Sequence, residues 1–145
     1  MNIHEFMQDK RFALNYAFNF SNMSIDEDIP TTRTRIILAD GESVSVQANE
    51  YAYCSPRENK FWSELLYYHA VPYYEYELGF PSFVAGEWLE YAEQPEKPTD
   101  TVYGYVPVDL VQKVLDTHGG IDVEATLAFK QKREEERKAK QESKQ

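Results

Sequence analysis

The chain predicts an α+β domain in which a small antiparallel sheet of about three to five strands packs with several short helices, followed by a charged C-terminal helix or tail. Three patterns carry this. Val44, Val46 and Ala48 alternate with Ser43, Ser45 and Gln47, and Tyr74, Tyr76, Leu78 and Phe80 alternate with Tyr73, Glu75 and Glu77, which is the period of half-buried strands. Asp40-Gly41 between two strand-like runs is a strong hairpin signal. Apolar residues recur at helical spacing near both ends of the chain.

Ile3, Phe6, Met7, Leu14, Ala17 and Phe18 form one stripe interrupted by Lys10, so an amphipathic first helix is expected over residues 3–18. The polar stretch from Asn19 to Pro30 reads as a loop. Thr32 to Leu38 and Ser43 to Ala48 then form the hairpin. An odd-length turn with Gly41 left-handed places Ile36 and Leu38 on the face of Val44 and Val46 and sends Arg33 and Arg35 outward. Tyr51 to Lys60 is expected as a loop, and Phe61 to Ala70 as a short helix ended by Pro72.

The alternation over Tyr73 to Phe80 predicts a strand with Tyr74, Tyr76, Leu78 and Phe80 inward. Pro81-Ser82 suggests a cap for a short helix that turns Val84, Trp88 and Tyr91 to one side and Glu87 and Glu90 to the other. Glu93 to Asp100 is a proline-containing connector, and Thr101 to Val106 a further strand. Pro107 opens a helix carrying Val108, Val111, Val114 and Leu115, closed by Gly119-Gly120. Asp122 can cap a last helix whose apolar anchors stop at Leu127 and Phe129. One compact domain over residues 1–129 is therefore expected, with residues 130–145 a solvated helix or disordered tail. No internal repeat or domain linker interrupts it.

The formal charge of −10 is unevenly distributed. Residues 1–129 hold 21 Asp and Glu against 8 Lys and Arg, whereas residues 130–145 hold 4 against 7. A body this acidic repels phosphate backbones, which argues against direct nucleic-acid binding by the globular part. The lone Cys54 cannot form an internal disulfide and suits a reducing cytoplasm, and no apolar run reaches the ~18 residues of a membrane span. A soluble cytoplasmic protein is the expectation.

Between Lys60 and Lys97, thirty-six residues contain no lysine or arginine but seven glutamates and eleven aromatics. About half of those aromatics are needed to fill the core of a small mixed domain. Trp62, Tyr67, Tyr68, Tyr73, Glu75, Glu77, Glu87 and Glu90 are the outward set in this register. They are the candidate partner-binding residues.

Cys54, near Arg57 and with His69 or His118 as a distant base, is the candidate nucleophile of an alternative reading as a small cysteine-dependent enzyme or ligand-binding domain. The sequence gives it little support. Cys-Ser-Pro-Arg is too short for a phosphate-cradling loop, and a lone cysteine is more often a packed residue. His4, His69 and His118 have no metal-site spacing, and His118 before Gly119 suits a helix end. No phosphate loop, dinucleotide fingerprint or nucleophile elbow is present, so no catalytic residue, metal or cofactor is assigned.

The reading that results is a non-enzymatic, acidic, tyrosine-rich protein that docks on a basic surface of a protein partner. A nucleic-acid-mimicking inhibitor of a nucleic-acid-binding protein, such as a phage or mobile-element anti-defence factor, is one setting for that design. A structural accessory protein is a further alternative.

Overall fold

The structure is a computed structural model that describes residues 1–14, 32–49, 52–55 and 73–143. Helix α1 spans Ile3–Gln8, and a 3-10 turn follows at Lys10–Phe12. Strands β1 (Ile36–Ile37), β2 (Ser43–Gln47), β3 (Glu75–Gly79) and β4 (Val102–Pro107) come next, with a 3-10 segment at Gly86–Tyr91 before β4. Helices α2 (Val108–Thr117) and α3 (Val123–Ser143) complete the chain. Among the described residues, the four strands form one antiparallel sheet in the order β1-β2-β3-β4. The expected α+β class and C-terminal helix are both present. The expected helix over Phe61 to Ala70 and the loop over Asn19 to Pro30 lie outside the described residues.

The hairpin forms as its sequence predicts. Ile36 pairs with Val44 and Ile37 with Ser43, the peptide N–H of Leu38 donates to Glu42 O at 2.8 Å, and Gly41 takes φ +89°. Ala39, Asp40 and Gly41 thus make an odd-length turn that keeps Ile36, Leu38, Val44 and Val46 on one buried face.

The first helix is shorter than its apolar stripe implies. Asn2 and Glu5 close a capping box at its start. Asp9 leaves helical geometry, its carboxylate accepting from Arg11 N at 3.0 Å, and the chain then becomes extended, with Ala13 bridging Arg33. A side chain that bonds the backbone two residues on competes with the helix, and here it ends α1.

Helices cover one sheet face. Trp88, at 0 % exposure, meets Tyr103 edge-on at 6.1 Å and donates its indole N–H to Leu110 O at 3.2 Å. Gln112 of α2 accepts from Ile3 N at 2.8 Å and so ties α1 to α2. Both sheet edges are partly occupied, which limits pairing with other chains. Along β1, Thr126 Oγ1 accepts from Ile37 N at 3.0 Å and Asp122 N donates to Ile37 O at 2.9 Å. Along β4, Ala92 bridges Tyr103. Asp122 caps α3 through Ala125 N at 3.0 Å. Lys130 reaches back to Arg11 O at 2.6 Å, so the charged helix is tied to the body at that point.

Outside the candidate site, four placements differ from the sequence expectation. Arg33 is buried rather than outward, at 1 % exposure, and donates from Nε and Nη2 to Met7 O at 3.0 and 2.7 Å and from Nη1 to Ala48 O at 3.3 Å. It lies before the paired part of β1, so strand alternation does not govern it. Phe80 and Val84 are exposed rather than inward. Phe80 sits at φ +48°, which breaks the alternation at the end of β3. Ser82 caps no helix, because its hydroxyl accepts from Ser43 N at 2.8 Å and donates to Glu42. The 3-10 segment after it begins without a side-chain cap.

Burial lowers the Arg33 pKa to about 10, still well above neutrality. Arg33→Ala removes the donors to two buried carbonyls and leaves a cavity, and should lower unfolding stability by about 3–5 kcal/mol in urea titrations. Arg33→Lys should cost less.

At the hairpin tip, His118 Nδ1 donates to Asp40 Oδ2 at 2.6 Å, joining the end of α2 to the turn. That hydrogen bond holds the Asp40 carboxyl below its usual range. A folded-state pKa below the unfolded one gives stability that is complete above the ordinary aspartate value and is lost as pH falls through the depressed one. Asp40→Asn should therefore flatten the acid limb of a stability profile below pH about 4.

Candidate functional site

The eight candidate partner-binding residues do not form one face. Trp62, Tyr67 and Tyr68 lie outside the described residues. Tyr73 is buried at 1 % exposure, its ring 6.1 Å from that of Tyr76, so its expected outward position is corrected. Tyr74 takes the outward place instead, at 64 % exposure. The cause is local. β3 begins only at Glu75, and the Ser55 carbonyl accepts from Tyr74 N at 2.9 Å and from Glu75 N at 3.4 Å. Two successive N–H groups aimed at one carbonyl put a bend before the strand, and alternation does not extend through a bend.

Glu75 and Glu77 do occupy the side of β3 opposite Tyr76 and Leu78, and both are half-buried. Each carboxylate also holds the segment 52–55. Glu75 Oε1 accepts from Ser55 Oγ, and Glu77 Oε2 accepts from Tyr53 N, both at 2.6 Å. Glu87 and Glu90 are exposed, but Trp88 between them points into the core beneath the opposite sheet face. The predicted carboxylates therefore divide between two layers.

Two residues that the sequence reading did not single out join the outer face. β3 and β4 change register between Tyr76 and Leu78, and Tyr105 at this bulge adopts φ +55°. Its N–H leaves the ladder and donates to Tyr53 O at 2.9 Å. The Tyr53 and Tyr105 rings lie 6.1 Å apart, at 37 % and 41 % exposure. Gly104 eases the approach, since a Cβ there would stand 3.2 Å from Tyr53 Cβ, tighter than ordinary contact. Gly104 inside an otherwise regular strand pattern was the available signal, because such a glycine marks a bulge or a close backbone approach. A non-glycine residue held at positive φ costs about 1–3 kcal/mol and is retained where the surroundings fix it.

The candidate nucleophile is enclosed. Cys54 is 1 % exposed and its thiol donates to Asn49 O at 3.3 Å. His4 Nδ1 lies 3.1 Å from the Tyr76 hydroxyl, and burial holds the His4 pKa below its ordinary value. His118 pairs with Asp40 and ends α2 as its C-cap. His69 and Arg57 lie outside the described residues. Among the described residues, no group of three or more His, Cys, Asp or Glu side chains is placed to hold a metal ion, and no helix is long and apolar enough to cross a membrane.

A buried thiol bonded to a carbonyl should react with an aromatic disulfide reagent only on opening of the fold, so labelling of Cys54 should be slow in buffer and fast in denaturant. Cys54→Ala should leave any binding activity within a few-fold and cost about 1 kcal/mol of stability. Rapid labelling of the native chain would show the thiol to be accessible. No family model, curated protein or solved structure matches this chain, and the reading of its function rests on the geometry of its own surface.

Proposed function

We propose that the protein is a non-enzymatic binding protein whose acidic, tyrosine-bearing outer face docks on a basic surface of a protein partner. The observation that carries this reading is the grouping of half-buried Glu75 and Glu77 with exposed Tyr53, Tyr74 and Tyr105 around the start of β3 and the bulge of β4. Tyrosines supply stiff contact area at low entropic cost, and fixed carboxylates beside them steer a basic partner into place. The bonds from Ser55 and Tyr53 restrain both carboxylates before any partner arrives, which reduces the ordering cost of association.

The body's acidity directs the choice of partner. A phosphate backbone is repelled, whereas a protein groove that normally holds DNA or RNA offers the opposite charge. An inhibitor that occupies such a groove, in the manner of a phage or mobile-element factor acting on a host nuclease, is the setting this chemistry favours. The cysteine-enzyme alternative draws no support from the buried thiol.

Capture of a partner from cells of the source organism, followed by association kinetics, tests the reading. Association should slow steeply as salt rises, because exposed charges are screened within about 10 Å at 0.1 M, and duplex DNA or RNA should compete for the partner. Glu75→Gln with Glu77→Gln keeps acceptors for Ser55 and Tyr53 while removing charge, and should mainly lower the on-rate. Tyr74→Ala should mainly raise the off-rate. Rates altered only by Glu87→Lys and Glu90→Lys would place the docking surface on the helical side, and rates indifferent to salt and to all these variants would sink the reading.

A further inference from the structure

Tyr105 combines two properties that core packing does not require. It is held at φ +55° and it is exposed at 41 %. Glycine or asparagine would satisfy the backbone there with less strain, so the ring itself calls for a use. It stands beside the Tyr53 ring at 6.1 Å, over a strand whose Glu77 holds the Tyr53 backbone through Oε2 at 2.6 Å. Glu77 Oε1 takes no hydrogen bond from the described residues. Two exposed aromatic rings and an available carboxylate oxygen are thus collected where the 52–55 segment crosses the sheet.

We infer that Tyr53, Tyr105 and Glu77 form a notch for an arginine side chain presented by a basic protein partner. The inference rests on the acidic-docking reading and names its anchor. A guanidinium fits this chemistry on both counts, since its plane stacks on a tyrosine face while its N–H groups donate to a carboxylate. A lysine ammonium lacks the plane. A phosphate is repelled by Glu77 and by the acidity of the body. Gly104 eases the close approach of Tyr53 to β4.

The test is an amide-resolved NMR titration of the full chain with two acetylated octapeptides, one alternating arginine with glycine and the other lysine with glycine. The arginine peptide should shift the amides of Tyr53, Glu77 and Tyr105, with an affinity at least five-fold above that of the lysine peptide. Tyr105→Gly, which relieves the positive-φ strain, should melt no lower than the parent yet bind at least five-fold more weakly. Glu77→Gln, which keeps an acceptor for Tyr53 N, should weaken binding and reduce its salt dependence.

Shifts confined to Glu87, Glu90 and residues 93–100 would overturn the notch and leave the acidic-docking reading standing. Parent-like binding by Tyr105→Gly, or equal binding of the two peptides, would overturn the arginine anchor in the same way. Absence of binding by either peptide would overturn the anchor and count against the docking reading as well.

Discussion

A buried guanidinium organises this fold. Arg33 takes its charge into the protein interior and meets the Met7 carbonyl in the last turn of α1 and the Ala48 carbonyl just past β2. Desolvating such a group is costly unless its N–H groups are satisfied, so the segments that supply those carbonyls are held together by the charge between them. Burial lowers its pKa to about 10, and Tyr73, Tyr76 and Cys54 lie close to it. Tyr73 is buried beside it, and the chain bends as it enters β3.

That bend sets up the outer face. With Tyr73 inside, Tyr74 faces solvent, and the Ser55 carbonyl receives the two N–H groups on either side of the bend. The 52–55 segment then lies across β3, bonded to Glu75 and Glu77 at their carboxylates and to Tyr105 at its backbone. Each carboxylate has two roles, one as a structural acceptor and one as a fixed negative charge. A surface carboxylate without the first role would present the same charge on a mobile side chain and would lose more entropy on being fixed in place. The bulge in β4 has the same dual character, since freeing the Tyr105 N–H from the ladder both anchors Tyr53 and turns the Tyr105 ring outward.

The opposite side of the sheet is built differently. There Trp88, Tyr103, Val111 and Leu115 fill a buried core, and Glu87 and Glu90 project from a 3-10 segment whose one buried residue is Trp88. Their charge adds to the acidity of the body without joining the tyrosines on the other face. The division explains why a sequence window rich in glutamate and aromatics does not translate into one patch: β3 turns its glutamates to one face of the sheet, and the 3-10 segment that follows packs on the other.

What the sequence determined by itself was whatever depends on neighbouring residues. The period-two runs in β2 and β3, the Asp40-Gly41 turn with Gly41 at φ +89°, the helix after Pro107 with Gly119 and Gly120 beyond it, and the Asp122 cap of α3 all follow from local backbone preferences, and all are present. What only tertiary structure decided was which of two adjacent side chains turns inward where regular structure stops. Arg33, Tyr73, Tyr74 and Phe80 all lie just outside the regular strands, where period gives no instruction, and their placement is tied to partners far away in sequence: Met7 and Ala48 for Arg33, Ser55 for Tyr74, Thr101 and Arg35 for the backbone of Phe80. The Tyr53–Tyr105 pair belongs with these. It exists because a bulge frees one N–H and a glycine eases the close approach of Tyr53, and neither event has meaning until the two segments meet.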